Sequence, residues 1–179
     1  MPQDSLPDTA RQSTRFLYLY ALAAAGGSIA YIPLLTILLP VHVTKTAGES
    51  ALNLLSYIAF AGAISASLAN IGFGWASDIS GTRRPWIAVG MLLSCALLLT
   101  VPMITQPAAL IALIVCWQFA LNMMLAPLSA WAGDVVPDAQ KGMLGGLMAL
   151  APALGALSGA LVAMQGMIPD GQRLTWVAA

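Results

Sequence analysis

The sequence predicts an all-α membrane protein, a polytopic helical bundle. Three observations carry this. Charged residues make up 8% of the 179 residues and hydrophobic residues 59%, whereas a soluble domain carries about 25% charged residues. The apolar residues gather into runs of about twenty, the length of helix that crosses a bilayer core. The few polar clusters fall between those runs.

Residues 1–15 are polar and of mixed charge and read as a cytoplasmic tail. The apolar run behind them is too long for a signal-peptide core and lacks a small-residue cleavage pattern. Residues 16–179 form the transmembrane helical domain. Its first helix, 16–39, holds no charge; Gly26-Gly27 and Pro33 interrupt it, which neighbouring helices in a membrane tolerate. A polar connection over 41–50 carries Lys45 and Glu49. The second helix, 51–77, places Ala59, Ala63 and Ser67 four apart, a spacing that lets another helix approach.

Pro85 suits the first turn of the third helix, 86–105. Gln106-Pro107 turns the chain into the fourth, 108–132, which holds Trp117, Gln118, Asn122 and Pro127. A second polar connection contains Asp134, Asp138, Lys141 and Gly142. On the fifth helix, 143–164, Ala151, Gly155 and Gly159 form a small-residue ladder beside Pro152 and mark a close packing face. A sixth helix starts from 174. Five crossings and an opening turn lead to the expectation of a piece of a longer protein.

Lys and Arg in the loops set the orientation. With the N-terminus inside, the cytoplasmic side holds Arg11, Arg15, Arg83, Arg84 and Lys141, and the outer side Lys45 and Arg173. The cell membrane, of bacterial inner-membrane type, is the expected location.

Composition also excludes functions. A formal net charge of zero argues against a nucleic-acid partner. Cys95 and Cys116 lie in apolar runs and read as small buried hydrophobes. There is no CxxC pair or His cluster, hence no metal site and no cofactor; His42 reads as an interfacial residue. The apolar runs hold no paired acid and base, so an intramembrane enzyme has no machinery.

Between the second and third helices stands a polar knot, Gly74-Trp75-Ala76-Ser77-Asp78-Ile79-Ser80-Gly81-Thr82-Arg83-Arg84-Pro85. Asp78 and Asp134 both fall at C-terminal helix ends, where the helix dipole disfavours an acid by about 0.3–1 kcal/mol. Each calls for a positive partner, and Arg83 and Arg84 are near Asp78 in sequence.

The knot resembles the cytoplasmic loop motif of the major facilitator superfamily. Gly74, Asp78, Gly81, Arg83 and Arg84 match; Ile79 and Thr82 stand where the family usually has basic residues. Arg83-Arg84-Pro85-Trp86-Ile87 is similar to a run in sugar–cation symporter-like branches. The stretch Asp134 to Gly142 looks like the family's loop between helices four and five, with Lys141 for the commoner Arg. Ala151-Pro152-Ala153-Leu154-Gly155-Ala156 is similar to the antiporter signature Gly-Pro-x-x-Gly-Gly, with alanine at two glycine positions.

The resemblance implies the N-terminal half of a twelve-helix carrier, with the missing C-terminal half as partner, that moves a small solute by alternating access. It implies a gating role for the knot, with Asp78 pairing with basic residues. Helices one and four would line the solute cavity, making Tyr31, Gln118 and Asn122 the candidate contacts. Gln118 and Asn122 share a helix face; the alternative for them is a hydrogen bond between helices. The lack of charge points to an uncharged solute such as a sugar. The reading from another class is a non-transporting membrane scaffold or assembly subunit.

Overall fold

The computed structural model describes residues 11–164. Most of the 1–15 tail and the start of a sixth helix from 174 lie outside them. The described residues are helical almost throughout. Four helical runs are long and apolar enough to cross a membrane: Thr14–Ser80, Arg84–Met103, Pro107–Val135 and Asp138–Ala163. Only 22–39% of the most apolar stretch of each is buried inside the protein. Leu52, Phe60, Leu68, Ile71 and Trp75 are all exposed. An apolar surface of that extent belongs in lipid rather than water, so the chain is a multi-pass membrane protein.

Helix α1, Thr14–Pro33, starts where the Ser13 hydroxyl accepts the Phe16 amide, a side-chain cap on an otherwise orphaned donor. A π-helical turn, Leu34–Leu38, then leads into α2, Leu39–Ala47. The widening has a local cause. Pro40 has no amide hydrogen to donate to Thr36 and its ring crowds that carbonyl. The ladder slips by one, and the Leu39 amide reaches Leu34 instead.

The connection expected over 41–50 is thus helical as far as Ala47. Its threonines are accommodated there: Thr44 donates to the Pro40 carbonyl and Thr46 to that of His42, so both hydroxyls find partners within the helix. Gly48, at φ 53°, ends α2 in a conformation that favours glycine, and the chain doubles back. Leu39 and Val43 share one apolar cluster with Leu54 and Ile58 of α3, Ala51–Ser80.

Helix α3 stops at Gly81, whose φ is 62° and whose amide bonds the Asp78 carbonyl. Helix α4, Arg84–Thr100, has Pro85 in its first turn. It ends five residues before the expected 105 because Pro102 cannot donate to Leu98; the Val101 amide takes that carbonyl and a 3₁₀ turn, Val101–Met103, follows. Helix α5, Pro107–Val135, outruns the expected 108–132 and so includes Asp134. Helix α6, Asp138–Met148, begins five residues before the expected 143, so Lys141 and Gly142 are helical. The single fifth helix is also broken at 149–150, ahead of α7, Ala151–Ala163, because Pro152 cannot donate to Met148.

Helix α5 is the hub, packed along α3 and α4, while α1 packs along α7. Trp117 is the largest fully buried side chain and sits with Leu34, Leu98, Leu110 and Ile114 in the main cluster. A second cluster at the Arg83 end joins Leu17, Tyr20, Leu128, Val136 and Leu144. Cys116 is exposed rather than buried, because it lines an open apolar cleft between α4 and α5 with Leu93, Leu97 and Phe119; Cys95 is half-buried.

Candidate functional site

At one end of the bundle α3 and α5 finish side by side, with Asp78 and Asp134 in their last turns. Arg83, in the residue before α4, reaches between them. Its Nη2 lies 2.7 Å from Asp78 Oδ1 and its Nε 2.6 Å from Asp134 Oδ2. Its Nη1 donates to the Ser77 hydroxyl at 2.9 Å, and that hydroxyl donates to the Gly74 carbonyl. One planar guanidinium thus satisfies three acceptors on two helices, a geometry that the fork of Arg donors suits and an ammonium does not.

The electrostatics agree. The negative C-terminal ends of two helix dipoles and two carboxylates converge, and a single cation offsets all of them. Hydrogen bonding to Asp134, then to Asp78, holds the Arg83 guanidinium above its ordinary pKa, against the opposing effect of burial. The Arg83 side chain is 15% exposed, but those of Asp78 and Asp134 are 58% and 54% exposed. Each pair is therefore worth on the order of 0.2–1 kcal/mol.

Arg84 is not part of this fork. Its guanidinium stacks 5.7 Å from the centre of the Trp131 ring, a cation–π contact, and among the described residues no carboxylate pairs with it. The expectation that both arginines hold the acids is corrected to Arg83 alone. The reason is angular: consecutive residues entering a helix point about 100° apart, so only one faces the acids. Gly81 supplies the left-handed turn that brings the chain round. A methyl group on Gly74 would meet nothing within 4 Å. Around this network opens a cleft of about 710 Å³, walled by Ser77, Asp78, Arg83, Arg84, Trp131 and Asp134.

Lys141 and Gly142 stay apart from the fork. Lys141 bonds Asp138 at 2.6 Å, three residues earlier on its own helix. Gln140 makes the unexpected contact. Its side-chain amide pairs reciprocally with the backbone of Gln12, accepting from the amide at 2.7 Å and donating to the carbonyl at 2.9 Å. The Gln12 side chain donates to the Val135 carbonyl at 2.9 Å, at the end of α5. Ser77, Trp131, Gln12 and Gln140 are neighbours at this end of the bundle that the sequence did not flag. The first two carry no signal of their own, and the last two are 128 residues apart.

The three candidate solute contacts separate. Asn122 is buried and spent on structure: its oxygen accepts from Asn70 at 3.3 Å and its nitrogen donates to the Gln118 carbonyl at 2.9 Å. Tyr31 is half-buried against the main apolar cluster. Gln118 lines a cavity of about 390 Å³ between α1–α2, α3 and α5. His42 bonds the Ile104 carbonyl at 2.8 Å, tying α2 to the turn before α5.

On α7, Ala151, Gly155 and Gly159 face α1 and are buried, while Pro152 points outward. A Cβ on Gly155 would lie 2.7 Å from the Ser28 carbonyl oxygen. Gly90 plays the same part between α4 and α5, where a Cβ would come 2.5 Å from the Met124 nitrogen.

The sequence profile of the Major Facilitator Superfamily matches residues 9–167. No match was found among curated proteins or solved structures. The profile match covers every helix described above, from the first residue of α1 to the last of α7. The family is one of membrane transporters and not of enzymes, and this chain belongs to it.

Proposed function

We propose that the chain forms the N-terminal half of a secondary carrier that moves a small solute by alternating access, with the Asp78–Arg83–Asp134 fork as a gate contact. The fork is the observation that carries the reading. It joins the ends of two helices by pairs of about 0.2–1 kcal/mol each, weak enough to break and re-form in every cycle. A carrier needs its two states within a few kcal/mol of each other, which a deeply buried ion pair would not allow.

The Thr14–Ser80 run counts as two crossings, since its 67 residues would extend about 100 Å as one straight helix and it reverses at Gly48. The chain then contributes five crossings. Five of its seven Lys and Arg residues fall on the side of the fork and the N-terminus, which supports a cytoplasmic location for both. Helices α1 and α5 contribute to the solute path, with Gln118 as this chain's polar contact.

In the intact protein, Asp78→Asn keeps the side-chain shape and removes the charge. It is expected to lower solute uptake by cells expressing it about tenfold, with the amount inserted in the membrane unchanged. Uptake kinetics identical to the unmodified protein would rule out the gate.

A further inference from the structure

We infer that the cavity at Gln118 takes an uncharged, mainly apolar solute bearing a single amide or hydroxyl group. This rests on the carrier reading above and narrows its solute, away from the sugar that the sequence suggested.

Gln118 is 9% exposed, and its side-chain amide has no hydrogen-bond partner among the described residues. Its amide atoms are not sealed in the protein: among the described residues only Trp117 Nε1 is a buried side-chain polar atom without a partner, so the Gln118 amide opens on the cavity. Asn122, one turn further along the same face, is paired on both sides by Asn70 and by the Gln118 backbone. The protein therefore satisfies one amide of the pair and leaves the other open on a cavity. Gly62 packs beside it, where a Cβ would lie 3.6 Å from the Gln118 nitrogen, an ordinary van der Waals contact.

The rest of the cavity sets the class. Leu35, Leu39, Ile58 and Ile114 line it, and no charged residue does. On the wall that this chain supplies, a charged solute would be stripped of water with no countercharge, at a cost of several kcal/mol. A sugar has more hydroxyls than the one amide on this wall can satisfy, and each left unpaired costs about 1–3 kcal/mol. A neutral molecule with one carbonyl or hydroxyl can pair with Gln118 and bury its remaining surface on the aliphatic wall. The volume, about 390 Å³, is that of a small-molecule pocket.

The test is equilibrium binding of radiolabelled benzamide, glucose and acetate to the intact protein in lipid nanodiscs, with empty nanodiscs as the blank for partitioning. Benzamide is expected to bind saturably, and glucose and acetate are not. Gln118→Leu should weaken benzamide binding at least tenfold with an unchanged melting temperature. Ala59→Phe, which projects into the cavity from an exposed position on α3, should abolish it independently. Saturable glucose or acetate binding that Gln118→Leu removes would overturn the class. Benzamide binding indifferent to both variants, or absent altogether, would overturn the site and leave a groove for an acyl chain. Gln118-dependent benzamide binding beside normal uptake by Asp78→Asn would uphold the ligand class while removing the gate.

Discussion

Arg83 donates to three acceptors on two helices, while Arg84 lies over an indole ring. The sequence made both arginines equal candidates. Their spacing from Asp78 was visible, but the direction each side chain takes depends on the turn at Gly81 and on where α5 ends. Asp134 was legible as an acid in need of a partner because it follows a long apolar run. Its sharing of a partner with Asp78, 56 positions earlier in the chain, was not. The fork also has a pH signature. A cation whose pKa is raised on folding contributes stability at all pH values below its unfolded value and loses it only as pH rises through the folded one. For Arg83 both lie above the usable alkaline range, so its side of the fork does not titrate. Arg83→Lys places there a group with an ordinary pKa of about 10.4 and fewer fixed donors. Its melting temperature is expected to fall increasingly below that of the parent as pH rises from about 8 to 10.5, through the range where that ammonium deprotonates. A constant difference across that range would contradict the assignment.

At the scale of the elements, apolar runs located the helices and prolines decided their ends. Pro40, Pro102 and Pro152 each displace a backbone bond, giving in turn a π-helical turn, a 3₁₀ turn and a helix break. Their positions were legible; whether a proline kinks, ends or widens a helix was not, because that depends on which neighbouring donor can take the freed carbonyl. The polar stretch after Pro40 read as a loop because its threonines count as polar in sequence, yet they bond back into the helix. The small-residue ladder of α7 could be read from its spacing of four, but its partner α1 could not. Gly90 has only Ser94, four residues on, to mark such a face, and was missed. The two kinds of helix glycine differ in a testable way. Gly155→Ala forces a shift of the Ser28 backbone or α7, and is expected to destabilise the solubilised protein by about 1–3 kcal/mol. Gly72→Ala meets nothing within 4 Å and should leave the melting temperature equal or higher, given the better helix propensity of alanine. Equal behaviour of the two variants would show that α1 and α7 do not pack at this distance.

Across the whole molecule, α3, α4 and α5 form one packed group and α1 with α7 another. The seam between them is polar and aromatic at the Arg83 end. The Gln12 side chain donates to the Val135 carbonyl of α5 while its backbone is clasped by Gln140 of α6, the Tyr20 hydroxyl donates to the Leu128 carbonyl, and Phe16 meets Trp131 edge to face at 5.8 Å. None of these pairings is local in sequence, and none has a periodic signature, so the fold class was legible while its internal division was not. Gln140→Ala leaves the Gln12 amide and carbonyl without their partners. It is expected to speed hydrogen exchange at the start of α1 several-fold while exchange in α4 stays the same; no change at α1 would show that the clasp does not hold the start of α1 to α6.

The fork is the point where α3 and α5 are joined at the proposed gate, and hydrogen exchange of the intact protein in lipid nanodiscs tests it directly. In Arg83→Gln the last turns of α3 and α5, residues 76–82 and 131–136, should exchange faster together. A loss of about 1–2 kcal/mol corresponds to roughly five- to thirtyfold, with the centres of both helices unaffected. Faster exchange at one helix end alone, or at neither, would contradict a shared gate contact.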